Sequence, residues 1–141
     1  MGRTMQMLLL SAAVGLAAVI PAAAETESRT FNAPADRVWS ITKATLDSMG
    51  WKVDKEQRDI GWIQTKSKRI EGEEYGVYAK GMKHRLKLTV KSRDAGKTEV
   101  GVERRVWKEE RALWIDIKEE EVPTTDRTVE RQVLAEIAKN L

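Results

Sequence analysis

Met82-Lys83-His84-Arg85-Leu86-Lys87-Leu88-Thr89-Val90-Lys91 and, beyond Asp94-Ala95-Gly96, Thr98-Glu99-Val100-Gly101-Val102-Glu103-Arg104-Arg105-Val106 are the stretch that decides the fold. Side chains of an extended chain alternate between two faces. Met82, His84, Leu86, Leu88 and Val90 therefore share one face, and Lys83, Arg85, Lys87, Thr89 and Lys91 share the other. The second segment sorts Val100, Val102 and Val106 from Glu99, Gly101, Glu103 and Arg105 in the same way. A three-residue loop with Gly96 in the left-handed conformation pairs Arg93 with Lys97. Antiparallel partners keep a constant index sum, so Val90 lies beside Val100, Leu88 beside Val102, Lys91 beside Glu99 and Lys87 beside Glu103. A slip of one residue sets apolar side chains against charges along the whole ladder. One face is core and the other is wet. Arg104 falls on the apolar side, where it either ends the core or pairs with a buried acid.

Downstream of this hairpin, Trp107 ends the strand, Lys108-Glu109-Glu110-Arg111 reads as a loop, and Ala112 to Lys118 reads as a further strand through Leu113, Ile115 and Ile117. Pro123 breaks the chain. A last helix starts near Thr125 or Asp126, either of which can cap it, with Val129, Val133, Leu134, Ile137, Ala138 and Leu141 on one stripe. Upstream, residues 25–31 suit a first strand. Asn32-Ala33-Pro34-Ala35-Asp36 suits a helix start, with proline pre-organised for the first turn and an acid at the positive end of the dipole. The helix stripe joins Val38, Ile41, Thr45 and Met49 to Trp39, Thr42 and Leu46, and Gly50 stops it. Trp51 to Glu56 and Trp62 to Thr65 form a hairpin about Arg58-Asp59-Ile60-Gly61. Residues 70–81, with Gly72, Gly76, Gly81, Tyr75 and Tyr78, read as a long loop. The expected fold is α+β: an antiparallel sheet with two helices packed on one face, in the order β-α-β-β-β-β-(β)-α.

The N-terminus reads as an address. Arg3 precedes a stretch from Met5 to Ile20 that is apolar apart from Gln6, Ser11 and Gly15, and Pro21-Ala22-Ala23-Ala24 follows. That is the pattern of a signal peptide over residues 1–24, cleaved after Ala24, which leaves residues 25–141 as one periplasmic domain. The apolar run is shorter than the 20 or so residues a spanning helix needs. With 141 residues, 41% of them hydrophobic, the chain can build one core without crosslinks. It has no cysteine, which removes disulfides, thiolate metal sites, thiol nucleophiles and a lipid-carrying cysteine. A net charge of +3 over a mixed-sign chain supplies no bulk field for nucleic acid.

No catalytic constellation emerges. His84 is the only histidine and sits between Met82 and Leu86 on the apolar face, where a structural role is expected. One histidine without cysteine makes no metal cage. Glu109-Glu110 and Glu119-Glu120-Glu121 are runs of the solvated kind. The serines lie in no nucleophile elbow, and the glycines match no phosphate loop or dinucleotide fingerprint. No activity, cofactor or metal is expected. Binding residues are sought instead among the aromatics and cations: Trp39 and Trp51 suit the core, whereas Trp62, Trp107 and Trp114 with Tyr75 and Tyr78 are candidates for a contact patch. Lys83, Arg85 and Lys87 stand beside them. With Lys66, Lys68, Arg69, Lys80 and Lys91 they could form a basic surface facing lipid head groups, a glycan or nucleic acid. Glu99 and Glu103 are expected to neutralise part of it across the hairpin and export disfavours nucleic acid, so a solvated sheet face is the preferred reading.

Pro34, Val38-Trp39, Leu46, Gly50-Trp51-Lys52-Val53, Asp59-Ile60-Gly61-Trp62-Ile63, the strand from Leu86 to Val90 and the helix with Leu134 and Ile137, taken together, resemble a domain of the BamC (NlpB) lipoprotein family. That family is tied to the outer-membrane β-barrel assembly machinery and has helix-grip domains. The resemblance implies a non-enzymatic envelope module with an envelope protein as partner and the membrane as a peripheral contact at most. This chain has one domain where the family has two, and no cysteine to lipidate. Asn32-Ala33-Pro34-Ala35-Asp36-Arg37-Val38-Trp39 also resembles the start of START-like domains, which implies the alternative of a carrier or sensor of a small apolar ligand.

Overall fold

The computed structural model describes residues 26–70, 82–112, 115–123 and 126–141, and for 109–112 and 115–119 the backbone alone. The expected leader over residues 1–24, the 71–81 stretch with Tyr75 and Tyr78, Trp114 and Thr125 lie outside the described residues. The elements are β1 (Thr26–Phe31), α1 (Ala35–Ser48), β2 (Val53–Gln57), β3 (Trp62–Thr65), β4 (Lys68–Ile70), β5 (Met82–Ser92), β6 (Thr98–Ala112), β7 (Ile115–Val122) and α2 (Thr128–Asn140).

The hairpin alternation sets the sheet. β5 pairs antiparallel with β6 in the expected register, with Val90 opposite Val100, Leu88 opposite Val102, Lys91 opposite Glu99 and Lys87 opposite Glu103. At its tip the Arg93 amide donates to the Lys97 carbonyl (2.7 Å), and both Ala95 and Gly96 have positive φ. Seven strands form one antiparallel sheet with the path β1-β6-β5-β3-β2; β4 follows β3 along the same edge of β5, and β7 follows β1 along the outer edge of β6. Where the β3–β5 ladder stops, the Leu86 amide donates to the Thr65 hydroxyl (2.9 Å), so that buried donor keeps a partner.

Both helices cover the apolar face. Val38 and Leu46 of α1, Val133 and Ile137 of α2, and Ile63, Leu86, Leu88, Val100 and Val102 of the sheet are fully buried in one cluster. The residues after α1 show why it stops there. Gly50 takes φ 81, its amide donates to the Asp47 carbonyl (3.0 Å), and the Trp51 amide donates to the Leu46 carbonyl (2.8 Å). This closes the helix in a Schellman motif with Trp51 and Leu46 both buried beneath it. Lys68 adds a further cap, donating to the Met49 carbonyl (3.1 Å) with its ammonium over the Trp51 ring.

Asp126 anchors the start of α2 by accepting from the Thr128 amide (2.9 Å) and the Thr128 hydroxyl (2.5 Å). These bonds, chiefly the one from the Thr128 side chain, hold the Asp126 carboxyl below its ordinary 3.8. A carboxyl depressed in the folded state adds stability that is complete above its ordinary value and lost as pH falls through the lower folded value. Asp126→Ala is therefore expected to cost about 1 kcal/mol at neutral pH. The deficit should shrink in urea titrations carried into the acid range, where the wild-type carboxyl takes up its proton.

Four expectations need correction. The helix starts at Ala35, so Pro34 caps it from outside with φ −69 and ψ 152 instead of occupying the first turn. Ile70 does not begin a loop: with Lys68 and Arg69 it forms β4 against Met82, Lys83 and His84, and its side chain is fully buried. Trp107 does not end its strand, because β6 continues through Lys108-Glu109-Glu110-Arg111 to Ala112. There it pairs with β7 alone among the described strands, and its run of charged residues carries no alternation to mark it. Lys68 leaves the expected basic surface, since its place opposite His84 turns it toward α1.

Candidate functional site

The core holds one polar cluster. Arg104 lies on the apolar face opposite Leu86 and is 4% exposed; its Nε donates to Glu130 Oε1 (2.6 Å) and its Nη2 to the Asp126 carbonyl (2.6 Å). Its Nη1 stands 3.1 Å from His84 Nδ1. A guanidinium has no acceptor, so that contact requires the lone pair on Nδ1 and the ring proton on Nε2. Arg127 reaches the second oxygen of Glu130 at 3.4 Å. The arginine thus has its buried acid, and that acid is Glu130 of α2, fully buried. Sequence reasoning passed over Glu130, although its spacing to Val133, Leu134 and Ile137 puts it on the helix stripe. The cluster ties β5 and β6 to the head of α2, and His84 has no exposed surface through which to meet a substrate. Among the described residues no group of His, Asp or Glu side chains forms a candidate metal site.

The opposite face of the sheet collects the candidate binding residues. Lys83, Arg85 and Lys87 project there from β5, Trp107 from β6 and Trp62 from β3, as the register of Trp62 with Thr89 and of Trp107 with Lys83 requires. The aromatics and cations meet in pairs: the Arg85 guanidinium lies 5.4 Å from the Trp107 ring centre and the Lys87 ammonium 5.8 Å from that of Trp62. Each contact holds a flexible cation in place over a ring. Tyr75, Tyr78 and Trp114 lie outside the described residues, so five of the eight candidates share one face.

No protein-family model matches the chain, and no curated protein matches it. The chemistry of the face itself must carry the reading. Ile60, 60% exposed, was not expected here; it stands beside Trp62, Lys87 and Lys91 around a shallow depression of about 460 Å³. An apolar residue inside the polar turn Arg58-Asp59-Ile60-Gly61 was the signal for it. A second depression, of about 430 Å³, lies where β1, α1 and α2 meet, lined by Arg29, Phe31, Arg37 and Leu141 among others. The centre of the layer between sheet and helices is filled by Leu46, Ile63, Leu86, Leu88, Val133 and Ile137. Among the described residues no helix is long and apolar enough to cross a membrane.

The expected neutralisation across the hairpin does not occur. Glu99 and Glu103 are the register neighbours of Lys91 and Lys87, but Glu99 bonds Arg93 (3.1 Å) and Glu103 lies with Arg105 (3.7 Å). Arg93 offers Glu99 a planar fork and bonds it through both Nε and Nη2, where lysine would offer a point charge; the Arg105–Glu103 contact at 3.7 Å is a looser ion pair without a hydrogen bond.

Proposed function

We propose that the chain is a non-enzymatic binding module of the cell envelope, exported behind its N-terminal leader, and that it contacts an envelope protein through the outer face of its sheet. The observation that carries this reading is the gathering of Trp62, Trp107, Arg85 and Lys87 on a face that neither helix covers. Tryptophan and arginine are the residues that most often anchor a protein interface. The polar groups on the other face are spent on holding α2. The proposed role is that of an accessory to outer-membrane protein assembly or envelope maintenance, as the BamC-like resemblance implies.

A photo-crosslinking residue placed at Trp62 or Trp107 in the expressing cells is expected to capture one envelope protein. The same residue at Ser40, exposed on α1, is expected to capture none. Equal capture from both faces, or recovery of the chain alone from every position, would overturn the proposal.

A further inference from the structure

The outer face carries cations that have ring contacts but no carboxylate partner among the described residues. Among the described residues Arg85, Lys87 and Lys91 make no ion pair, because the two acids opposite them are drawn to Arg93 and Arg105. The only side-chain bond of Arg85 is a long one to the Ser67 hydroxyl (3.4 Å), and its Nε is screened from water with no acceptor. The Nη groups of Arg85, which meet no carboxylate among the described residues, are the donors a ligand would meet. The three cations lie on one face of one strand. Successive same-face positions are about 7 Å apart, and the run from Arg85 to Lys91 spans about 20 Å. A single small anion cannot reach both ends.

We infer that this strip receives an acidic, extended segment of the partner protein, laid along β5 with carboxylates at alternate positions. The inference rests on the proposed binding role of the same face and names the chemistry of what it binds. An extended peptide presents same-face side chains at the same repeat as the strip, so one carboxylate meets Arg85 and the next meets Lys87. The Arg85 fork suits a carboxylate taken by two parallel bonds. Trp107 and Trp62 each fix one of the cations over a ring, which limits the rotamers a ligand would have to order. Ile60 and Trp62 give an apolar stop at the Lys91 end. Glycans and lipid surfaces are also anionic, but neither repeats its charge at strand spacing.

The test uses the purified full chain and a fluorescent twelve-residue peptide of alternating glutamate and threonine. Binding is expected to weaken steeply with salt, and to fall at least tenfold in the triple variant Arg85→Gln, Lys87→Gln, Lys91→Gln. The double variant Lys87→Gln, Lys91→Gln, both exposed positions, should fall partway with an unchanged melting temperature, which separates lost binding from lost folding. A peptide with lysine in place of glutamate should not bind. The inference is overturned if the acidic peptide does not bind, if the triple variant binds it equally, or if polygalacturonate or phosphatidylglycerol vesicles bind more tightly than the peptide. Capture of a protein through Trp62 that survives the triple variant would keep the binding-module reading and remove the acidic partner.

Discussion

Glu130→Leu is expected to cost about 3–5 kcal/mol, since removal of one member of a buried ion pair strands the other. Arg104 is 4% exposed and would keep only the Asp126 carbonyl and the His84 ring, neither of which carries compensating charge. Arg127, 8% exposed, would lose the same carboxylate. A domain of this size is stable by about 5–15 kcal/mol in total, so the variant should lose a large share of its stability. The pair Arg104→Met, Glu130→Leu should recover most of the loss, because apolar groups of similar volume often replace a buried ion pair without penalty. Urea unfolding of the two single variants and the double one measures this. A Glu130→Leu deficit under about 1 kcal/mol would show that water already reaches the cluster.

Gly61→Ala is expected to cost about 3 kcal/mol or more, the range of steric strain at a buried backbone crossing. Gly61 has φ 66, and a Cβ there would lie 2.0 Å from the Val90 carbonyl oxygen. The Val90 amide donates to the Gly61 carbonyl (2.7 Å), which locks the two backbones together. The neighbouring strand cannot withdraw without breaking that bond. Gly96→Ala is the control. Its φ is 71 with nothing within 4 Å of the added carbon, so it should cost only the conformational penalty of about 1 kcal/mol. Equal losses in the two variants would mean that the crossing relaxes and that conformation alone sets the cost at Gly61.

The hairpin from Met82 to Val106 was legible in the sequence because one of its faces is dry and the other wet, and that contrast fixes both strand and register. α1 and α2 were legible for the same reason at helical period. β4 was not: three residues with one apolar side chain, Ile70, carry too little alternation, and they form a strand only because β5 offers an open edge. The far half of β6 was hidden by the opposite circumstance, charge on consecutive positions, which reads as a loop although the backbone continues as strand. Inward Arg104 announced a buried partner, but only the packing of α2 on the sheet could say that it is Glu130. On the outer face, the alternation of β5 and β6 and the register of β3 put Trp62, Trp107, Arg85 and Lys87 on one side of the sheet. The competition for Glu99 and Glu103, which leaves the lysines uncompensated, depends on side-chain reach and could not be read from register.

The pairing of β1 with β6 sets an order of events in assembly. Thr26 pairs opposite Glu103 and Phe31 opposite Thr98, a longer reach along the chain than any other ladder among the described strands makes. The first of the described strands must therefore wait for β6, and a nascent chain that ends before Thr98 holds β1 with nowhere to dock. A domain wired this way cannot fold piecemeal from its N-terminus: the segment that emerges first must be kept from other strands until most of the rest has followed.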